Sequence, residues 1–186
     1  MPVDLSSFSS ARFDRGAGRF RECLWLVVSL FLFRLCPFSV SPLKRAVLRI
    51  FGAKIGRGVV IKPQVKITFP WKLEIGDFVW LGEECWLLSL DRIVIGNNVC
   101  ISQRAFLCTG NHNYSLPTFD LIVKPIVVED GAWLGAGCWV GPGIKVGSHA
   151  ILTACSVMAK DMEPWGIYQG NPAGLVKSRN IQGKQE

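Results

Sequence analysis

The chain has 186 residues, of which 49% are hydrophobic and 19 are glycine, and it carries a net charge of +7. That is enough for one domain with a sizeable core plus an accessory segment, and it excludes a disordered or collagen-like chain. By count alone the positive balance leaves nucleic acid, an anionic membrane face and a phosphorylated substrate open, but the basic residues gather in the N-terminal segment and near the C-terminus, which gives nucleic acid no support.

Residues 1–54 read as an apolar and basic helical segment. Cys23 to Phe33 is a predominantly apolar run of eleven residues flanked by Arg19, Arg21 and Arg34. It lacks the small-residue cleavage site of a signal peptide, and it is short against the roughly 20 apolar residues of a bilayer-spanning helix. Pro42 to Phe51 alternates Lys44, Arg45 and Arg49 with apolar residues, the pattern of a basic amphipathic helix. Two placements follow. The pair of helices lies in the headgroup region of the inner membrane leaflet, as a peripheral contact, or it packs on the main domain or a neighbouring subunit.

From Ile55 onward the apolar residues recur with a period of six. The late phase is unbroken through Val128, Leu134, Val140, Val146, Leu152 and Met158, with Ala132, Cys138, Ile144, Ala150 and Ser156 four places after the first five. Earlier stretches repeat it: Ile55 with Val59, Ile75 with Val79, Leu81 with Cys85, Ile95 with Val99, Ile101 with Ala105. Period six fits neither a helix face nor simple strand alternation. It fits a parallel β-helix in which each repeat supplies one short strand and one turn, and three repeats close one triangular coil. Glycine at the second place, as in Gly76 and Gly135, is read as turn freedom. The β-helix is expected over 55–161, with 162–186 forming a closing turn and a short C-terminal helix. The seven cysteines are odd in number and contain no CxxC, which argues against a disulfide framework or a metal site and for small buried hydrophobes in a reducing cytoplasm.

The motif in Ile75-Gly76-Asp77-Phe78-Val79-Trp80 resembles the hexapeptide repeat of left-handed β-helix acyltransferases. That resemblance implies an all-β fold of left-handed coils, a homotrimer with active sites between subunits, and acetyl-CoA as acyl donor with no metal. Phe51 to Gly56, Pro70 to Asp77, and Gln103-Arg104 before Leu107-Cys108-Thr109 resemble the colanic-acid-type exopolysaccharide acetyltransferase subgroup across nearly the whole chain. The subgroup usually has Ser-His where this chain has Asn111-His112, a departure that bears on acceptor contacts more than on the histidine.

A regular solenoid needs no long excursion, so its interruptions are informative. The phase is lost between Leu107 and Val128, and residues 109–125 read as an inserted loop holding His112, one of two histidines. An imidazole that is largely neutral near pH 7 can accept a proton. With an activated thioester as donor, a base and an oxyanion stabiliser suffice for transfer to a hydroxyl. Thr109-Gly110-Asn111-His112 also resembles the loop of galactoside, maltose and nodulation-type sugar O-acetyltransferases, which implies His112 as general base toward a sugar or lipid-linked sugar hydroxyl. Asn111 and Asp91 are candidates to orient the ring or the acceptor, with Asp91 equally readable as a turn residue in the longer stretch from Leu87 to Ile95. His149, at an outward fourth place, reads as surface.

The resemblance further places the pantetheine arm of the donor along Ala136, Thr153 and Ala154, and its phosphates near Lys160, Lys177 and Arg179. Gly170 to Ala173 matches a closing turn after the last coil. Three other readings stay open. A zinc-dependent carbonic anhydrase would need three histidines. A non-catalytic β-helix at the membrane would need no histidine in a protruding loop. A serine or amino-sugar acetyltransferase usually carries a larger N-terminal domain. The location implied is cytoplasmic, either free or peripheral on the inner membrane.

Overall fold

A computed structural model describes residues 2–10 and 13–182; residue 1 and residues 183–186 of the expected terminal segments lie outside the described residues. The six-residue period becomes a left-handed parallel β-helix with three faces. The first face stacks Lys54–Ile55, Leu73–Ile75, Ile93–Ile95, Ile126–Val128 and Lys145–Val146. The second stacks Val60–Ile61, Trp80–Leu81, Cys100–Ile101, Trp133–Leu134, Ile151–Leu152 and Gly166–Gly170. The third stacks Lys66–Ile67, Trp86–Leu88, Phe106–Cys108, Trp139–Val140 and Val157–Met158. First-place residues such as Ile61, Leu81, Ile101, Leu134 and Leu152 fill the prism, and fifth-place residues such as Val59, Val79, Cys85 and Ala150 are buried beside them.

The early coils are longer than three hexads. Ile55 pairs with Ile75 and Ile75 with Ile95, whereas Val128 pairs with Val146. The extra dipeptide lies at the corner between the third and first faces, at Phe69-Pro70 as well as at Ser89-Leu90. Ser89 Oγ accepts from Phe69 N–H at 2.9 Å and donates to Phe69 C=O at 3.0 Å, which locks the two extended corners together.

The glycines of the second place have a different reason from the one their spacing suggests. The left-handed backbone sits at the fourth place instead, at Gln64, Glu84, Arg104, Gly137 and Cys155 on one corner. At Gly135 a Cβ would lie 2.6 Å from Ala154 N and 2.8 Å from Leu152 O. The residue is glycine because the next coil passes that close.

Helix α1 (Arg19–Ser29) runs into a π-helical turn, Leu30–Leu35, and α2 (Ser41–Ile50) follows. They do pack on the main domain: Trp25, Phe33 and Leu48 are buried in its core. A solenoid's first coil presents unpaired backbone groups, and these helices satisfy them. Arg45 Nη1 donates to Val59 C=O at 2.8 Å, Arg49 Nη2 to Ile55 C=O at 2.7 Å, and Trp25 Nε1 to Ile67 C=O at 3.0 Å. Ser41 Oγ accepts from Ile61 N–H at 2.9 Å. Lys44 is fully buried, and its Nζ donates to Phe38, Ile61 and Lys62 carbonyls at 3.4, 3.5 and 3.2 Å. Burial holds its ammonium below the usual lysine range. The basic residues of α2 therefore cap the first coil of the β-helix.

The expected C-terminal helix is not formed. Ala173–Ser178 is a strand that pairs antiparallel with Gly166–Gly170, which itself pairs with Ile151–Leu152. The reason is the same edge problem at the other end: a strand pairs the exposed backbone of the last coil, and a helix, bonded within itself, does not. Cysteine placement also departs from expectation. Cys85 and Cys138 are buried fifth-place residues with thiols pushed up to about 12 by burial, but Cys23 and Cys155 are exposed.

Candidate active site

The inserted loop is a hairpin. Gly110–His112 pairs antiparallel with Leu121–Val123, Gly110 opposite Val123 and His112 opposite Leu121. It rises from the corner between the third and first faces. Thr109 anchors it there: fully buried, it donates from Oγ1 to Leu88 C=O at 2.6 Å and accepts from Asp91 N–H at 2.9 Å. Polar and turn-forming residues between the strands close the tip, with Asn113 N–H donating to Asp120 C=O at 2.8 Å.

The His112 ring is held on three sides. Nδ1 lies 2.8 Å from the Phe119 carbonyl. Phe119 stacks on the ring at 4.4 Å between centroids and 8° between planes, and Phe8 leans on it at 5.8 Å. A carbonyl can only accept, so the neutral ring carries its proton on Nδ1 and leaves the Nε2 lone pair available. Nε2 has no partner among the described residues. The side chains expected to orient the ring are occupied elsewhere. Asn111 Oδ1 accepts from the His112 backbone N–H at 2.8 Å, and Asp91 Oδ1 accepts from Arg92 N–H at 2.6 Å.

Beside the hairpin opens a cleft of about 820 Å³, lined by Ser9, Ser10, Phe13, Asp14, Lys72, Asp91, Asp120, Leu121 and Val123. Leu121 is the residue paired with His112. Lys72 Nζ donates to the carbonyls of Asp14 and Leu90 at 2.5 and 2.6 Å and lies 4.9 Å from the Phe13 ring. Burial depresses its ammonium, with Asp14 and Asp91 opposing. Carboxylates, hydroxyls and an aromatic ring are groups that grip a polyhydroxylated ligand. One wall comes from Ser9, Ser10, Phe13 and Asp14, and the same N-terminal stretch is tied to the hairpin by Asp4 N–H donating to Pro117 C=O at 2.9 Å. Sequence reasoning missed Phe8, Ser9, Ser10, Phe13, Asp14 and the Phe119 carbonyl. The N-terminal residues have no periodicity to flag them, and a backbone carbonyl has no residue-type signature; Lys72 and Asp120 stood within quoted segments without being singled out.

The positions expected to contact the donor fall into three groups. Ala136, Thr153 and Ala154 come together at the corner between the second and third faces, where Cys155 N–H donates to Ala136 C=O at 2.8 Å. Lys160 is exposed past the far end of the third face. Lys177 lies on the C-terminal strand opposite Ile167, and Arg179 Nη1 donates to the Gly131 and His149 carbonyls at 3.0 Å each. His149 stacks on Trp165 at 4.3 Å, on a different corner from His112.

No family model matches the chain. It is 38% identical over 176 residues to WcaF of Escherichia coli (strain K12), named as a colanic acid biosynthesis acetyltransferase; the match covers 95% of this chain and 97% of that one. Among solved structures, a hexapeptide-repeat acetyltransferase from Vibrio cholerae O1 biovar eltor, complexed with acetyl coenzyme A, superposes with a TM-score of 0.77 at 23% identity, covering 93% of this chain and 92% of that one. Galactoside acetyltransferase in complex with coenzyme A superposes with a TM-score of 0.76 at 17% identity, covering 87% of this chain and 82% of that one. These two likenesses speak to the fold.

Proposed function

The chain belongs to the hexapeptide-repeat acetyltransferases of the WcaF type, and from that premise we propose that it moves the acetyl group of acetyl-CoA onto a sugar hydroxyl, with His112 as general base. The observation that carries this reading is the ring clamp: Nδ1 is committed to the Phe119 carbonyl, leaving Nε2 for the acceptor proton beside a carboxylate-lined cleft. The sugar hydroxyl gives its proton to Nε2 as its oxygen attacks the thioester carbonyl, and collapse of the intermediate breaks the C–S bond, with the proton on Nε2 passing to the departing sulfur so that CoA leaves as the thiol. Asp91 and Asp120 hold neighbouring hydroxyls. Asn111 fixes the hairpin backbone at the base. The pantetheine arm follows the corner at Ala136, Thr153 and Ala154, where the small side chains let it approach backbone. Lys160, one face away, is the cation of the six candidates that suits the donor's phosphates; Arg179 already serves two carbonyls. The CoA-linked relatives support the donor, and the WcaF relative supports a sugar of an exopolysaccharide as the acceptor.

The test is twofold. Acetyl-CoA at 100 times its Kd is expected to stabilise the native protein by about 2.7 kcal/mol, which for a chain of this size raises Tm by roughly 5–10 °C. Acetyl transfer to at least one member of a panel of lipid-linked and nucleotide-linked sugars is then expected. An unshifted Tm together with no transfer would favour the non-catalytic scaffold.

The base and the small-residue corner sit at opposite edges of the third face, so one copy does not complete the site, and we place a homotrimer around it. The second face supplies an apolar outward ladder for the contact: Trp80, Cys100, Trp133 and Ile151 stack in register, with Trp80 58% and Trp133 46% exposed. Light scattering is expected to return three chains, and a monomer would refute this.

We also place the protein on the cytoplasmic side of the inner membrane. No helix among the described residues is long and apolar enough to cross a membrane. Phe20, Leu24, Val27, Phe31 and Leu35 form an exposed helical stripe along α1 and its π-turn, flanked by exposed Arg19 and Arg34. Such a stripe suits shallow insertion among anionic headgroups. The protein should bind anionic vesicles at low salt, and Phe20→Glu with Phe31→Glu should weaken binding on the order of tenfold or more. Absence of vesicle binding by the intact protein would remove this part of the proposal.

A further inference from the structure

A second groove lies back to back with the acceptor cleft. It has a volume of about 270 Å³ and runs between α1 and the lower coils, walled by Trp25, Leu26, Phe33, Phe69, Trp71 and Trp86. That is below the roughly 300–1,000 Å³ of a drug-sized pocket and suits a single chain. The two depressions divide three adjacent residue pairs between them: Asp14, Lys72 and Asp91 line the cleft, while Arg15, Trp71 and Leu90 line the groove.

Charge divides along the same ridge. The cleft carries Asp14, Asp91 and Asp120 with one lysine. The groove carries Arg15, Arg34 and Lys66 with one acid, Glu22, which Arg15 occupies at 2.7 Å. Arg34 and Lys66 are left exposed with no hydrogen-bonded acid among the described residues, and Lys66 Nζ sits 5.6 Å over the Trp86 ring. A ligand that spans the ridge would put a neutral, hydroxyl-rich end among the carboxylates, an anionic group beside Arg34 and Lys66, and an apolar chain against the aromatic wall.

We infer that this groove takes the lipid-phosphate end of the acceptor, so that the sugar reaches the cleft while still attached to an apolar carrier. The link to acetyl transfer rests on the reading of the cleft as the acceptor site; the groove itself stands on its own lining. Charge complementarity selects a phosphate-bearing chain over a neutral one, and the ridge shared with the cleft selects the acceptor over a bystander lipid. A nucleotide-linked sugar would set its base on the same aromatic wall, so binding of UDP as tight as that of a brominated lipid phosphate would overturn the lipid assignment.

The test uses 12-bromododecyl phosphate below its micellar concentration, because bromine quenches only tryptophans that the chain contacts. The intact protein should show saturable quenching that is lost in part in Trp86→Phe. Arg34→Glu with Lys66→Glu should weaken the affinity at least tenfold while the Tm rise with acetyl-CoA is unchanged. Bromododecanol and inorganic phosphate should each bind at least tenfold more weakly, and the bromo-lipid should raise KM for a lipid-linked acceptor without raising KM for acetyl-CoA. Absent quenching, equal binding by bromododecanol or inorganic phosphate, or an unaffected double variant would overturn the lipid-phosphate site even if acetyl transfer is intact. Quenching without competition against the acceptor would overturn its assignment to the acceptor's carrier. Quenching with no transfer to any sugar would instead overturn the acetyltransfer reading, so the two failures are distinguishable.

Discussion

Replacing His112 with alanine is expected to lower turnover by about 10²–10⁴-fold, the range for loss of a general base, while the acetyl-CoA-induced rise in Tm is retained. The separation follows from the geometry. His112 stands on a hairpin at the corner between the third and first faces, whereas Ala136, Thr153 and Ala154 stand at the next corner. Removing the imidazole takes away the proton acceptor and leaves the donor edge intact. The hairpin should also survive, because its register depends on backbone pairs from Gly110 with Val123 to His112 with Leu121 and on the buried Thr109 anchor. Turnover near that of the wild type would refute the assignment of the base. A collapse of the Tm in this variant would instead mean that stacking with Phe119 holds the hairpin together.

The largest stability effect is expected from Gly135→Val. The nearest atoms to a Cβ there are Ala154 N, Leu152 O and Thr153 C at 2.6, 2.8 and 2.8 Å, all backbone of the next coil and unable to rotate away. Overpacking of this kind costs about 3 kcal/mol, and a domain of this length loses about 2–4 °C of Tm per kcal/mol. A fall of roughly 6–12 °C in a thermal melt is therefore expected. Gly137→Asn is the control. Gly137 has φ +64°, but a Cβ there meets only Cys155 Sγ at 3.6 Å, and Gln64, Glu84, Arg104 and Cys155 adopt the same backbone as non-glycine residues. That variant should lose no more than about 1–2 kcal/mol. Equal losses in the two variants would show that the close passage of coils is not what keeps glycine at the second place.

The amino-acid order by itself determined the solenoid. A first-place apolar residue with a small one four places on, repeated from Ile55 to Met158, can bury itself only in a coil of that period, so the inward residues and the one long break were legible without coordinates. The histidine in the break was legible for the same reason, since a regular coil has no use for it. Tertiary structure decided what depends on edges and on distant neighbours. The cations of α2 read as one face of an amphipathic helix, and only the fold sets the first coil's carbonyls opposite them. The C-terminal residues look helical until the last coil offers a strand edge. The partner of His112 Nδ1 is a main-chain carbonyl, Phe119, whose position depends on how the hairpin turns. Backbone groups are identical at every residue, so a sequence cannot say which will be left unpaired; only the folded chain brings Arg45, Arg49 and Lys44 to one set of carbonyls and the His112 ring to another.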